Sequence, residues 1–153
     1  MTQHSYNPIM AVALLVFLIW SLAMTTLTAQ DVQKTEMYKT INARQQTSWE
    51  TAKQIWDWAE PGYQETKSSA LLIKILRSQG FVIESGVAGI PTAFTATFGK
   101  GEPVIGMLGE YDALPGLSQQ ATPQRAQTEH NNNGYGHGCG HHLLGVASME
   151  GAI

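Results

Sequence analysis

Residues 9–30 run "IMAVALLVFLIWSLAMTTLTAQ" without one charged side chain. Such a stretch cannot face water on every side of a folded domain, so it sets the N-terminal part of the chain apart from the rest. Its densest apolar portion, residues 10–24, has the length of a secretory h-region. It falls short of the about 20 apolar residues that a membrane span needs. Thr25, Thr26, Thr28 and Ala29 supply small residues before Asp31, which places a cleavage site after Ala29. No Lys or Arg precedes the apolar run, unlike the usual basic n-region. The expectation is a signal peptide over residues 1–29, with an uncleaved anchor as the alternative and the only route to membrane contact. Either reading exports residues 30–153 to the periplasm or beyond the cell.

The remainder has to be read for a fold. Hydrophobic residues at 43% against 14% charged give the chain enough apolar material for a core. The net charge of -3 provides no basic stripe, so a nucleic-acid partner is not expected. Across residues 37–60, Met37, Ile41, Ala52, Ile55, Trp56 and Ala59 recur at helical spacing, and Pro61-Gly62 ends the run. Of the three tryptophans there, Trp49, Trp56 and Trp58, two are expected in the core and one at the surface. A second helix is expected over residues 65–79. Ala70, Leu71, Leu72, Ile73, Ile75 and Leu76 form its apolar face, Arg77 lies in the last turn and Gly80 serves as the left-handed stop. Tyr63 and Glu65 read as a turn followed by a carboxylate at the helix start.

The period then changes. Residues 81–85, 92–99 and 103–111 are short, β-branched or aromatic, and bounded by glycine or proline. Gly99-Lys100-Gly101 reads as a hairpin turn joining the last two. "PVIGMLG" is nearly all apolar, which predicts a strand buried on both faces. A loop over residues 113–138 follows, rich in Gln, Thr, Asn and Gly, and loops of that length are often functional. "HHLLGVASMEGAI" opens a last helix whose expected buried face is Leu143, Leu144, Ala147 and Ile153. Helices, then strands, then a loop and a helix make an α/β order.

Chemistry can come from two places. Glu110 and Asp112 close the apolar strand, two residues apart and so on one side of it. Ligands bind at such strand ends in α/β sheets; alternatively, Asp112 only opens a turn before Pro115 and Gly116. The other place is "GHGCGHH". Its glycines let the Cys139 thiolate and the His141 imidazole converge on one divalent ion. His137 or His142 could add a ligand or stand behind one. Cys139 is the only cysteine, so an internal disulfide is excluded. It could instead be a nucleophile with His137 or His141 as base, although such partners normally come from distant positions.

"GVAGIPTAFTATFG", "PVIGMLGEYDALPGLSQ" and "GHGCGHHLLG" resemble the start of the metal-dependent amidohydrolases of the aminoacylase and carboxypeptidase-like metallopeptidase family. The resemblance runs from Trp49 to the last residue. It implies the N-terminal part of an α/β catalytic domain with a mostly parallel core sheet, stopping before an inserted domain used for dimerisation and lid motion. It also implies two divalent ions, zinc or manganese, and a homodimeric or hetero-oligomeric enzyme. Carried over, Cys139 and His141 are metal ligands and Asp112 orients a metal-site histidine. Glu110 stands where other branches place a histidine ligand. His142 departs from the Asn or Asp usual at its position.

The implied reaction is hydrolysis of the amide bond of an N-acyl amino acid or an aminobenzoyl-glutamate-like small molecule by metal-activated water. Its general base is a glutamate from an acidic pair downstream of "CGH". The only acidic residue after Cys139 is Glu150, which does not match that pair. The expectation is therefore hydrolase ancestry, with little or no activity in residues 30–153 alone. A non-catalytic metal-binding module and a purely structural domain with a solvated His-rich loop stay open beside it.

Overall fold

The computed structural model describes residues 8–128 and 134–153, leaving out the side chains of Pro8 and residues 22–30. The cleavage site expected after Ala29 falls among those side chains, and the middle of the long loop falls at residues 129–133; both lie outside the described residues. The chain divides into two units, the first ending at Arg44 and the second beginning at Gln45.

Helix α1 spans Pro8–Trp58, far more than the residues 37–60 whose periodicity announced it. No glycine or proline interrupts residues 9–60, and Pro8 opens the helix where a missing N–H costs nothing. Within the first unit, the apolar side chains from Ile9 to Trp20 are largely exposed, and so are Met37 and Ile41. No helix among the described residues is long and apolar enough to cross a membrane.

The core lies in the second unit. Ala52, Ile55 and Ala59 are buried at the C-terminal end of α1 and just past it. Trp49 is exposed, as expected of one of the three, and Trp58 packs partly buried against the core; Trp56, also partly buried, lies against His137 and His142 instead. Helix α2 (Thr66–Ser78) buries Ser68, Ser69, Leu72 and Leu76; Ala70, expected on the apolar face, is exposed. Its free N–H groups are met from outside the helix. The Glu60 carboxylate accepts from the backbone N–H of Lys67 and Ser68 at 2.8–3.1 Å and from both neighbouring hydroxyls. Gly80 ends the helix at φ +89°, the left-handed conformation read from the sequence.

Strands β1 (Val82–Ser85) and β2 (Phe94–Thr97) pair antiparallel, Val82 opposite Thr97 and Ser85 opposite Phe94. This corrects two expectations. The hairpin joins residues 82–85 to 94–97, so Gly99-Lys100-Gly101 is not its turn. Residues 103–110 form no strand, and every one of them is exposed. A strand buried on both faces needs neighbours along both edges. β2 pairs only with β1, and no strand flanks residues 103–110 among the described residues. Ile55, Leu72, Leu76, Phe81, Val146 and Met149 form the core cluster, with Phe94 and Tyr111 against it.

The ends of the long loop are drawn together by strands β3 (Leu114–Pro115) and β4 (Tyr135–Gly136), also antiparallel. A Cβ on Gly136 would stand 1.8 Å from the Leu117 carbonyl oxygen, so only glycine allows this closure. Parallel pairing among the described residues is one bridge, Pro61 with Ala113. Helix α3 (His141–Ala152) packs inward through His142, Gly145, Val146 and Met149. That is the i, i+3, i+4, i+7 stripe of an amphipathic helix. Leu143, Leu144, Ala147 and Ile153, expected on the buried face, are exposed, because the stripe starts from a histidine and not from the leucines.

Candidate metal centre

Closing β3 on β4 brings the end of the "EYD" segment beside the "GHGCGHH" turn. The turn is tight: Gly140 donates to the His137 carbonyl at 3.2 Å and Gly138 to that of Gly136 at 3.1 Å. Gly140, at φ +77°, then launches α3 with His141 as its first residue.

His141 is held between two carboxylates. Its Nδ1 lies 2.7 Å from Asp112 Oδ1 and its Nε2 lies 3.0 Å from Glu110 Oε2. The three residues offer ligand atoms all within 4.8 Å of one another. A carboxylate oxygen can only accept, so Nδ1 carries a proton given to Asp112. Nε2 of the neutral ring then turns a lone pair toward the lone pairs of Glu110. Those two donors repel unless a proton or a cation stands between them, which fits a divalent ion held by His141 Nε2 and Glu110 and oriented through Asp112. The Glu110 side chain is 47% exposed and that of His141 20% exposed, open enough for an ion to enter.

The "EYD" segment is fixed on every side. Tyr111 alternates away from the carboxylates and donates its hydroxyl to the Thr92 carbonyl at 2.5 Å. Thr92 in turn donates to the buried Glu65 at 2.5 Å. Burial, and then the charge of Glu65, push the Tyr111 phenol up to about 12. Ala113 donates to the Glu60 carbonyl at 2.8 Å, and the Ser148 hydroxyl donates to that of Leu108 at 2.6 Å. Gly145 sets how near α3 can come: a Cβ there would lie 2.7 Å from the Glu110 carbonyl oxygen and 3.3 Å from Tyr111 Cβ. His141 and Gly145 are four residues apart and share one helix face, so this close approach is what lets His141 reach both carboxylates.

The other sequence candidates stand apart. Cys139 is exposed and free, and the cluster of three does not include it. His137 and His142 are buried, at 5% and 9% exposure. Their ring centroids lie 4.9 Å apart, and Trp56 flanks both. Burial pushes both imidazoles below their ordinary value, His142 to about 4. Sequence reasoning paired Glu110 with Asp112 correctly but missed Gly145, Trp56 and the Glu65–Thr92–Tyr111 chain. The strand alternation that places Glu110 and Asp112 on one side could have marked Tyr111 as the anchor on the other.

No described family's sequence profile matches the chain. A curated relative does match, at 48% identity over 114 residues. This chain is similar to a p-aminobenzoyl-glutamate hydrolase subunit of Escherichia coli (strain K12). The match takes in 74% of this chain and 23% of that hydrolase subunit. The chain therefore spans about a quarter of the relative's length.

Proposed function

We propose that this chain contributes the first metal-binding elements of a metal-dependent amidohydrolase acting on aminobenzoyl-glutamate-like or N-acyl amino acid substrates. The fold proposed with it is the opening of an α/β catalytic domain with a mostly parallel sheet. Export through the N-terminal segment and assembly with a further subunit belong to the same reading. The observation that carries it is His141 set between Glu110 and Asp112, in a chain similar to a hydrolase subunit over most of its length.

In this reading Glu110 and the Nε2 of His141 hold a zinc or manganese ion. Asp112 fixes the tautomer and the direction of the imidazole, and Cys139 stands two residues away on the same turn as a further soft donor. The ion supplies Lewis acidity toward an amide carbonyl and acidifies water. Around it, the Tyr111–Thr92–Glu65 chain keeps the carboxylates from swinging away from the ring.

The test is release of p-aminobenzoate from p-aminobenzoyl-glutamate by the protein purified from its native cells. Hydrolysis that stops with chelator and returns with zinc or manganese supports the reading. Metal binding with no amide cleaved by that natively made protein would favour a non-catalytic metal-binding module instead.

A further inference from the structure

We propose that His137 and His142 form a second cation site, made of imidazoles alone and separate from the Glu110–Asp112–His141 cluster. The inference does not depend on the amidohydrolase reading. It starts from two nitrogen atoms without partners: Nδ1 of His137 and Nδ1 of His142 are both buried, and neither makes a hydrogen bond. Unsatisfied buried polar atoms are rare in folded proteins and call for an ion or a water.

For His137 the tautomer is fixed by geometry. Its Nε2 lies 3.1 Å from the Ile55 carbonyl oxygen. A carbonyl only accepts, so Nε2 carries the proton and Nδ1 keeps a bare lone pair. Donating one ring N–H to a backbone carbonyl while the other nitrogen is left free is how ligating histidines are held. His142 follows five residues later, in the first turn of α3, with its own Nδ1 unpartnered.

The ring spacing suits a shared ion. Nitrogens sit about 2.0–2.1 Å from zinc and ring centroids about 1 Å further, so two imidazoles on one tetrahedral ion stand about 5 Å apart. The observed centroid separation is 4.9 Å. Trp56 closes the side of the pair, edge-on to His142 at 4.9 Å and stacked with His137 at 6.2 Å. The donors are imidazole nitrogens, which suits zinc, copper or nickel and not calcium, magnesium or manganese. Two protein nitrogens leave the other positions of a tetrahedral ion to water or an added ligand.

The test is the zinc retained per full-length chain after equilibrium dialysis, with folding followed by circular dichroism. The wild type is expected to hold two zinc ions, His142→Asn one, and Asp112→Asn no fewer than one. Should His142→Asn keep as much zinc as the wild type, the site is overturned and the two nitrogens share a water. Loss of one ion in His142→Asn with none lost in Asp112→Asn would uphold this site. A measurement on the wild type guards against a variant that does not fold. On zinc addition, the ¹⁵N resonances of His137 Nδ1 and His142 Nδ1 should move together, and resonances that stay in place would overturn the proposal.

Discussion

His141 and the pair His137–His142 meet at one short turn, and their surroundings are built in opposite ways. His141 is partly open, with a carboxylate at each ring nitrogen. His137 and His142 are shut in with Trp56, and each has a nitrogen with no partner. The first group gathers charge where an ion can enter from water. The second keeps imidazoles neutral by burial. The difference shows that metal-type residues crowded in sequence need not serve one ion, because successive positions of a turn and a helix start face different surroundings.

The largest expected effect comes from removing the close approach on which the first group depends. Gly145→Val places a branched side chain where even a Cβ would meet the Glu110 carbonyl at 2.7 Å. Overpacking of this kind costs about 1–3 kcal/mol, read as a lowered midpoint in denaturant. Zinc affinity should fall with it, since His141 is carried away from the carboxylates. Asp112→Asn comes next. It leaves the packing in place but weakens the orientation of His141, and loss of such a partner lowers metal affinity about 10–100-fold. Trp56 fluorescence should hardly change in that variant if the two histidine groups are independent. A parallel change in Trp56 would merge them.

Tyr111→Phe should do less. It removes one hydrogen bond, to the Thr92 carbonyl, worth about 0.5–1.5 kcal/mol by chemical denaturation. The smallest effect is on acid stability in metal-free protein. The folded-state values of His137 and His142 lie below the ordinary imidazole value, His142 at about 4. The unfolded chain therefore takes up protons first. Stability is full above about pH 6.5 and declines as pH falls toward 4, by linkage. In His142→Asn the decline over that window should be shallower.

Part of this was legible in the sequence. α2 and its stop at Gly80 follow from periodicity and one glycine, because local rules alone decide them. Glu110 and Asp112 were legible as a pair through strand alternation, although residues 103–110 form no strand here. The failures have a common physical origin. "PVIGMLG" reads as a buried strand by composition, but burial depends on neighbours and none among the described residues is paired with it. α3 was read from its leucines, whereas its inward stripe begins at His142; a polar residue at the head of an apolar stripe hides the period. The length of α1 was missed because, among the described side chains, its buried face lies in its last third.

The central claim is that His141 and Glu110, with Asp112 orienting the ring, hold a divalent cation. Manganese reports on it most directly, because carboxylate sites take it and imidazole-only sites do not. Titrating the protein with Mn²⁺ and following the free ion by electron paramagnetic resonance should show one ion bound per chain. His141→Ala should abolish that binding and His142→Asn should leave it intact. A free-ion signal that tracks the total manganese added to the wild type would contradict the account.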